Sequence, residues 1–347
     1  MTHDQSFPGP SGTSVNMRTQ HDQLPPIVYG FCLKRVIHFI FHLRANNPKS
    51  KIFISKFDFD AAYRQCHMSS ETAQESLTTH DGYLLMALRL TFGGSPCPNL
   101  WGCLCEATTD LCNALILNKH WDHTILRDPL TSSLNIPQSL PDNIPFAKSK
   151  NLSVSIPSNN IGKSDVFIDD IIAISLDKED NINRVCSAAI LAIHTVTRPL
   201  DPSDEILRKE IISMKKFQAE GSPSEVKTVL GWSINTRLLR IYLPPEKYTD
   251  WNNDMNSYLS NPKMSKNNME TLIGRLDHVA SLMEMLRHFM NRLRNALQRS
   301  IKSRFTTLTL QELEDLVLLQ QFIYVASSKG IPLNNLSLLQ PSSPVSL

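Results

Sequence analysis

Apolar positions recur with two different periods along the chain, and each change of period marks the edge of an element. From Tyr29 to Arg44 the spacing of Phe31, Val36, Ile37, Ile40 and Phe41 predicts an amphipathic helix, which Asn46-Asn47-Pro48 ends. Lys51 to Phe59 alternates as a strand and delivers Asp58 near its end. Leu84 to Phe92 predicts a further strand, followed by the turn Gly93-Gly94-Ser95-Pro96, and Asn99 to Leu117 returns to helical period. Two apolar runs, Asp165-Val166-Phe167-Ile168 and Ile171-Ile172-Ala173-Ile174, flank Asp169-Asp170, a pattern that predicts a hairpin with carboxylates at its tip. The acid-rich stretch Asp177 to Asp180 opens a helix with Ile182, Val185, Ile190 and Ile193 on its apolar face.

In the last third, Leu230 to Ile234 and Leu239 to Leu243 show period two with Asn235 to Leu238 between them, which predicts a second hairpin. Pro244-Pro245 stops it and suits the first turn of a helix. Asn267 followed by Glu270 reads as a helix cap, ahead of an apolar stripe through Leu272, Leu276, Val279, Met283, Leu286, Leu293 and Leu297. Thr309 with Glu312 opens a last helix that ends near Gly330. Residues 1–30 are polar and rich in Pro and Ser, and read as loops. Residues 118–163 hold five prolines and many Ser and Asn without a sustained period, so a long surface insertion is expected there. No internal repeat is visible.

Composition adds modest limits. With 347 residues, 41% hydrophobic and 20% charged, the chain is long enough for two or three globular units. Seven cysteines at irregular spacings fit a reducing compartment better than a disulfide framework. The start Met1-Thr2-His3-Asp4 carries no secretory signal. The most apolar stretch, Val166 to Leu176, is broken by acids and too short to span a bilayer. A soluble intracellular protein, cytoplasmic or nuclear and without a membrane partner, is expected.

The net charge of +2 hides an asymmetry: residues 261–305 hold nine Lys or Arg against three acids. A basic segment on an acidic body suggests an anionic polymer held beside a cation site, against the plainer reading of a solvated helix face. Carboxylates on two strands could provide such a site, since two-metal phosphoryl transfer needs acids that hold two Mg²⁺ ions about 3.5–4 Å apart. Neighbouring strand residues face opposite ways, so Asp169 and Asp170 cannot be equivalent. An isolated Asp-Asp at a hairpin tip is most often just solvated. Cys97, Cys103, Cys105 and Cys112, with His120 and His123, lack the C-x₂-C spacing of a zinc knuckle, and buried helix positions account for such cysteines better.

Five blocks, in order, resemble those of reverse transcriptases. Lys56-Phe57-Asp58-Phe59-Asp60-Ala61-Ala62-Tyr63-Arg64 is similar to the first, in which an Asp precedes an aromatic by five residues. Leu90-Thr91-Phe92-Gly93-Gly94-Ser95-Pro96 looks like the block written L-P-F-G-x-x-x-x-P, and Phe167-Ile168-Asp169-Asp170 resembles the aromatic-x-Asp-Asp hairpin. Val229-Leu230-Gly231-Trp232, running on to Leu243-Pro244-Pro245-Glu246-Lys247, looks like a primer-grip hairpin, and Leu272-Ile273-Gly274-Arg275-Leu276-Asp277-His278 like the start of a thumb. The resemblance is strongest to eukaryotic retrotransposon enzymes of the tyrosine-recombinase (DIRS-like) sort.

That resemblance implies an α+β right-hand fold: an antiparallel palm sheet with packed helices (51–117 and 164–247, interrupted by the insertion), a basic helical thumb (248–305) and incomplete fingers (1–50). It implies RNA-directed DNA polymerase activity on an RNA template with a DNA primer or RNA–DNA hybrid, using dNTPs and two Mg²⁺ ions, or Mn²⁺ in their place. Asp58 and Asp169 would bind both metals and Asp170 would assist. Tyr63 would stack under the incoming sugar and exclude a 2′-hydroxyl, Phe92 and Gly93 would line the nucleotide pocket, and Lys216 would protonate the leaving pyrophosphate. Gly231, Trp232 and Lys247 would support the primer end, and Arg275 and Arg287 would contact duplex phosphates.

Two departures qualify this reading. His3-Asp4-Gln5-Ser6-Phe7 with Ser11-Gly12 and Ser14-Val15-Asn16 resembles only the end of the fingers block, and the segment 306–347 stops short of the ribonuclease H domain that follows in relatives. A fragment or degraded element is therefore expected, with a non-catalytic nucleic-acid-binding remnant as the first alternative. A metal-dependent nuclease using the same acids is the second, and Tyr63 and the primer-grip hairpin, which hydrolysis does not need, argue against it.

Overall fold

The computed structural model describes residues 5–333, apart from residues 10, 28, 127, 135, 150–158, 199–200, 202, 204, 206–208 and 304. The chain groups into two units: residues up to 141 with 156–225, and residues 142–155 with those from 226 onward.

The first unit is organised by three antiparallel strands. Strand β1 (Ile52–Asp58) forms one edge, and β4 (Gly162–Phe167) and β5 (Asp170–Leu176) form the acid-tipped hairpin, in the order β1-β5-β4. The near-continuous runs of Ile, Phe and Leu in β1 and β5, buried at almost every position, mark a sheet covered on both faces. Helix α1 (Cys32–Asn46) meets one face, where Arg35 makes a two-pronged ion pair with Asp165 at 2.7 and 2.6 Å. Between β1 and β4 come α2 (Ser70–Gln74), the short hairpin β2 (Thr78–His80) and β3 (Tyr83–Leu85), α3 (Cys97–Leu117) and α4 (Pro129–Ser133). Helices α3 and α5 (Asn181–Thr197) pack on the other face, burying Trp101, Cys105, Val185 and Ile190 against Phe57, Ile171 and Ala173.

The outer edge of β1 is closed by chain rather than left open. Ile54 exchanges both backbone bonds with Ser224, Asp60 N–H donates to Ile211, and Ser213 N–H donates to the Asp58 carbonyl at 2.8 Å. Helix α6 (Met214–Glu220) starts from that last contact.

In the second unit, β6 (Val226–Val229), β7 (Trp232–Asn235), β8 (Arg240–Tyr242) and the terminal β11 (Ile331–Pro332) form an antiparallel sheet in the order β11-β8-β7-β6. Helix α7 (Pro245–Ser260) starts at the predicted prolines. A two-stranded ribbon of β9 (Lys263–Ser265) and β10 (Phe305–Thr307) brackets α8 (Lys266–Ala280) and α9 (Leu286–Lys302), and α10 (Leu310–Ser328) follows.

The periodic helices and both acid-bearing strands form where the pattern puts them, and four local expectations do not hold. Leu84 to Phe92 is not a strand beyond Leu85: only a single bridge, Arg89 with His67, follows, and without a ladder partner the apolar run stays largely exposed. Leu230-Gly231 is a turn rather than strand, with φ of 49° and 79°, because two consecutive left-handed residues make the tight link between β6 and β7. The cap of α8 is Ser265, whose hydroxyl accepts from Asn268 N–H, so the helix starts one residue before Asn267. The basic stripe is two helices, broken at residues 281–285.

The Pro-rich segment is also more ordered than expected. Leu130 is buried, Asp128 caps α4, and His194 sits between Asp128 and Glu210 at 3.2 and 3.0 Å. Further on, Ala147 N–H donates to Arg237, and the buried Arg237 guanidinium lies over Phe146 at 4.7 Å. Apart from the local Asp128 cap, local composition could not show these contacts, since their partners are distant in sequence.

Thr309 and Glu312 form the predicted reciprocal cap, and Glu312 is buried against Arg299 through two bonds of 2.9 and 2.8 Å. Thr309→Ala is expected to lower the stability of this unit by about 1 kcal/mol in denaturant titration. An unchanged midpoint would mean that the cap is dispensable.

Candidate active site

Asp58 is the last residue of β1, and its partner across the ladder is Asp170, the first residue of β5. The carboxylates of the two sequence blocks are thus brought together by strand register, which also puts Lys56 on the same face two residues earlier. Asp169 lies in the two-residue turn between β4 and β5, and its carbonyl accepts from Phe59 N–H at 3.3 Å. Asp169 and Asp170 therefore occupy different settings, one in the turn and one on the strand rather than on two faces of one strand, and Asp170 is the one directly opposite Asp58.

The group is crowded with like charge. Asp58 is 5% exposed, and burial pushes its carboxyl up to about 7, helped by a hydrogen bond with Asp170 and by the charge of Asp169. Lys216, from the first turn of α6, acts the other way, donating to Asp58 Oδ1 at 2.7 Å. Asp169 is also raised, again chiefly by burial. Lys56 stands 3.8 Å from Asp170 and 2.5 Å from Glu220. Lys56, Glu220 and the backbone contact of Ser213 escaped sequence reading. Only the position of Lys56, on the same strand face as Asp58, could have signalled any of them.

Among the described residues, no three acid, histidine or cysteine side chains already close around a point that could hold an ion. The donor set still fits hard divalent cations, which take oxygen ligands. A cation would also relieve the buried like-charge contact that lifts Asp58. Cys97, Cys105 and Cys112 are buried positions of α3.

Tyr63 and Phe92 meet beside these acids in the first unit. Tyr63 is buried in a turn of 3₁₀ helix (Ala62–Gln65), its hydroxyl pushed up to about 12 by burial, and its ring centroid is 5.1 Å from that of Phe92. Phe92 is half exposed. Gly93 has φ +102°, a left-handed backbone suited to glycine. Asn16 clamps this loop, donating to the Gly93 carbonyl and accepting from Ser95 N–H, both at 2.8 Å. The neighbouring Asp4 of the expected fingers block lies outside the described residues.

This arrangement of strands and helices has known counterparts. A foamy viral protease-reverse transcriptase in complex with double-stranded DNA matches over 92% of this chain with a TM-score of 0.53 at 12% identity. The fold is reverse-transcriptase-like. The same kind of foamy viral protein bound to an RNA/DNA hybrid gives a TM-score of 0.44 over 79% of the chain at 14% identity, which adds no weight. The chain spans 43% and 27% of those two proteins' chains. No family model matches the sequence, and no curated protein does. Nothing in these comparisons speaks for a DIRS-like origin in particular.

Within this reverse-transcriptase-like fold the second unit holds the remaining candidates. The Leu230-Gly231 turn rests on Lys247, which donates to the Gly231 carbonyl at 3.2 Å, and on His278. A Cβ at Gly231 would displace the Lys247 ammonium and crowd His278 at 3.2 Å, on a backbone whose φ of +79° already disfavours a side chain. Trp232 is 1% exposed and stacks on His278 at 5.0 Å, so it supports the turn from inside and offers no surface of its own. Burial, then the Lys247 charge, lowers the His278 pKa. Arg275 pairs with Asp254, and Arg287 is exposed. On α9, Arg292, Arg294 and Arg299 are paired with Asp315, Asp277 and Glu312. Much of the predicted basic stripe is thus balanced within its own unit, which net charge along the sequence could not reveal. Among the described residues no helix is long and apolar enough to cross a membrane.

Proposed function

We propose that this chain is an RNA-directed DNA polymerase, adding deoxynucleotides to a primer 3′-hydroxyl with release of pyrophosphate. The observation carrying this reading is the register that pairs Asp58 with Asp170 and places Asp169 beside them, within a reverse-transcriptase-like fold. Asp58 and Asp169 would hold two Mg²⁺ ions with Asp170 assisting, and so would supply activation of the attacking hydroxyl and charge neutralisation at the leaving group. Lys216, which donates to Asp58 at 2.7 Å, is the residue that would protonate departing pyrophosphate. Tyr63 and Phe92 form the floor for the incoming sugar, and the Gly231 turn, clamped by Lys247, steadies the primer end. Double-stranded DNA in the foamy viral structure supports a duplex as the ligand. The proposed source is a retrotransposon, on the sequence blocks alone.

One observation favours a second reading, a nucleic-acid-binding remnant without turnover. Lys56 and Lys216 already pair with Asp170 and Asp58 and balance part of the acid group without a divalent ion. Primer extension on an RNA template with Mg²⁺ and dNTPs separates the two readings. The polymerase reading requires extension that chelator abolishes. Hybrid binding with no extension at any Mg²⁺ or Mn²⁺ concentration would replace it with the remnant.

A further inference from the structure

The turn at the tip of the acid hairpin contains a residue whose conformation is not explained by its own chemistry. Ile168 has φ +54°, a left-handed backbone that β-branched side chains rarely adopt. The two-residue link between β4 and β5 calls for that geometry, but no glycine or asparagine supplies it here, so contacts from outside the turn are needed to offset its strain.

Two buried side chains of α3 do so. Trp101 Nε1–H donates to the Ile168 carbonyl at 2.8 Å, and Cys105 Sγ–H donates to the same oxygen at 2.7 Å. They are four residues apart, hence on one helix face, and are 0% and 1% exposed. A buried indole N–H needs an acceptor, and the Ile168 carbonyl supplies it. The Trp101 ring also meets Phe59 edge-on at 5.0 Å, next to Asp58, while Phe59 N–H donates to the Asp169 carbonyl. One side chain therefore touches the neighbours of both acid blocks.

We propose that Trp101 and Cys105 are positioning residues that fix the Ile168 carbonyl, lock the left-handed turn and so aim Asp169 at the divalent cation beside Asp58. The inference rests on the polymerase reading only for the role of Asp169. A carbonyl released from both donors would let Ile168 relax toward an ordinary conformation, and Asp169 would turn with it.

The test uses the full chain with three changes: Trp101→Phe, which keeps a ring and removes the N–H; Cys105→Ala, which removes the second donor; and Cys105→Ser, which retains one. Mn²⁺ binding is followed by calorimetry without nucleic acid, and amide exchange is followed over residues 166–171 and over α5 as an internal reference. Trp101→Phe combined with Cys105→Ala is expected to weaken Mn²⁺ binding tenfold or more and to speed exchange at the tip alone. Cys105→Ser is expected to stay within twofold of the parent on both readouts. Unchanged affinity and exchange in the combined variant would overturn the proposal, as would exchange rising equally in α5, which marks general loosening. Should the combined variant not fold, Trp101→Phe alone must show a smaller loss of affinity with α5 unaffected, or the proposal fails. A parent that binds no Mn²⁺ defeats the cation reading of Asp169, and exchange at the tip then decides whether the two donors hold the turn.

Discussion

Asp169→Asn is expected to cut primer extension by roughly a thousandfold or more, while hybrid binding in chelator stays within about twofold of the parent. The asymmetry follows from where Asp169 sits. Its carbonyl, not its carboxylate, is the group tied to Phe59, and the turn is held through Ile168, so the amide keeps the local structure and loses the anion. Filter binding and extension on the same preparation would check both halves. If binding falls with activity, Asp169 has a structural role and the catalytic assignment is wrong.

Asp58→Asn has the second large effect, and its sign depends on pH. The folded-state carboxyl lies near 7, above the ordinary Asp range, through burial first and the neighbouring acids second, despite Lys216. A raised carboxyl favours the folded state while protonated. That contribution is complete below about pH 4 and is lost as pH climbs through about 7. At pH 8 without metal the parent bears the full cost of a buried anion, which Asn does not, so the variant should be more stable by about 4 kcal/mol, shrinking toward zero near pH 4. Denaturant titration at the two pH values measures this, and a pH-independent difference would refute the account. The parent's extension should fall as pH drops through the same range, because a protonated Asp58 cannot hold Mg²⁺, and added Mg²⁺ should move that limb to lower pH. The variant should not extend primers at any pH.

How much of this was legible beforehand depends on whether the cause was local. Period-two runs around Asp58 and Asp169-Asp170 predicted strands with acids at their ends, and both form. The reciprocal Thr309–Glu312 cap is a signal carried within four residues, and it too is there. What the sequence concealed involves partners far apart along it: Lys56 with Glu220, Trp101 with Ile168, and Arg299 with Glu312, which turns an apparent phosphate-binding charge into an internal pair. The expected strand to Phe92 failed for a related reason, since alternation describes faces but does not supply a ladder partner. The tail from 334 to 347, and with it any approach to a ribonuclease H domain, lies outside the described residues.

The segment around Phe146 has a bearing on biosynthesis. It leaves the first unit and joins the second, where Ile144 and Arg237 are hydrogen-bonded across 93 residues. A growing chain emerging N-terminus first therefore presents one half of that contact long before the other exists. Until β7 and β8 have left the ribosome, the segment has no partner sheet, and the core around β1 must close over the strands on either side of a waiting loop. Chains stalled between Glu225 and Arg237 should accordingly be far more sensitive to protease near Phe146 than chains released at full length.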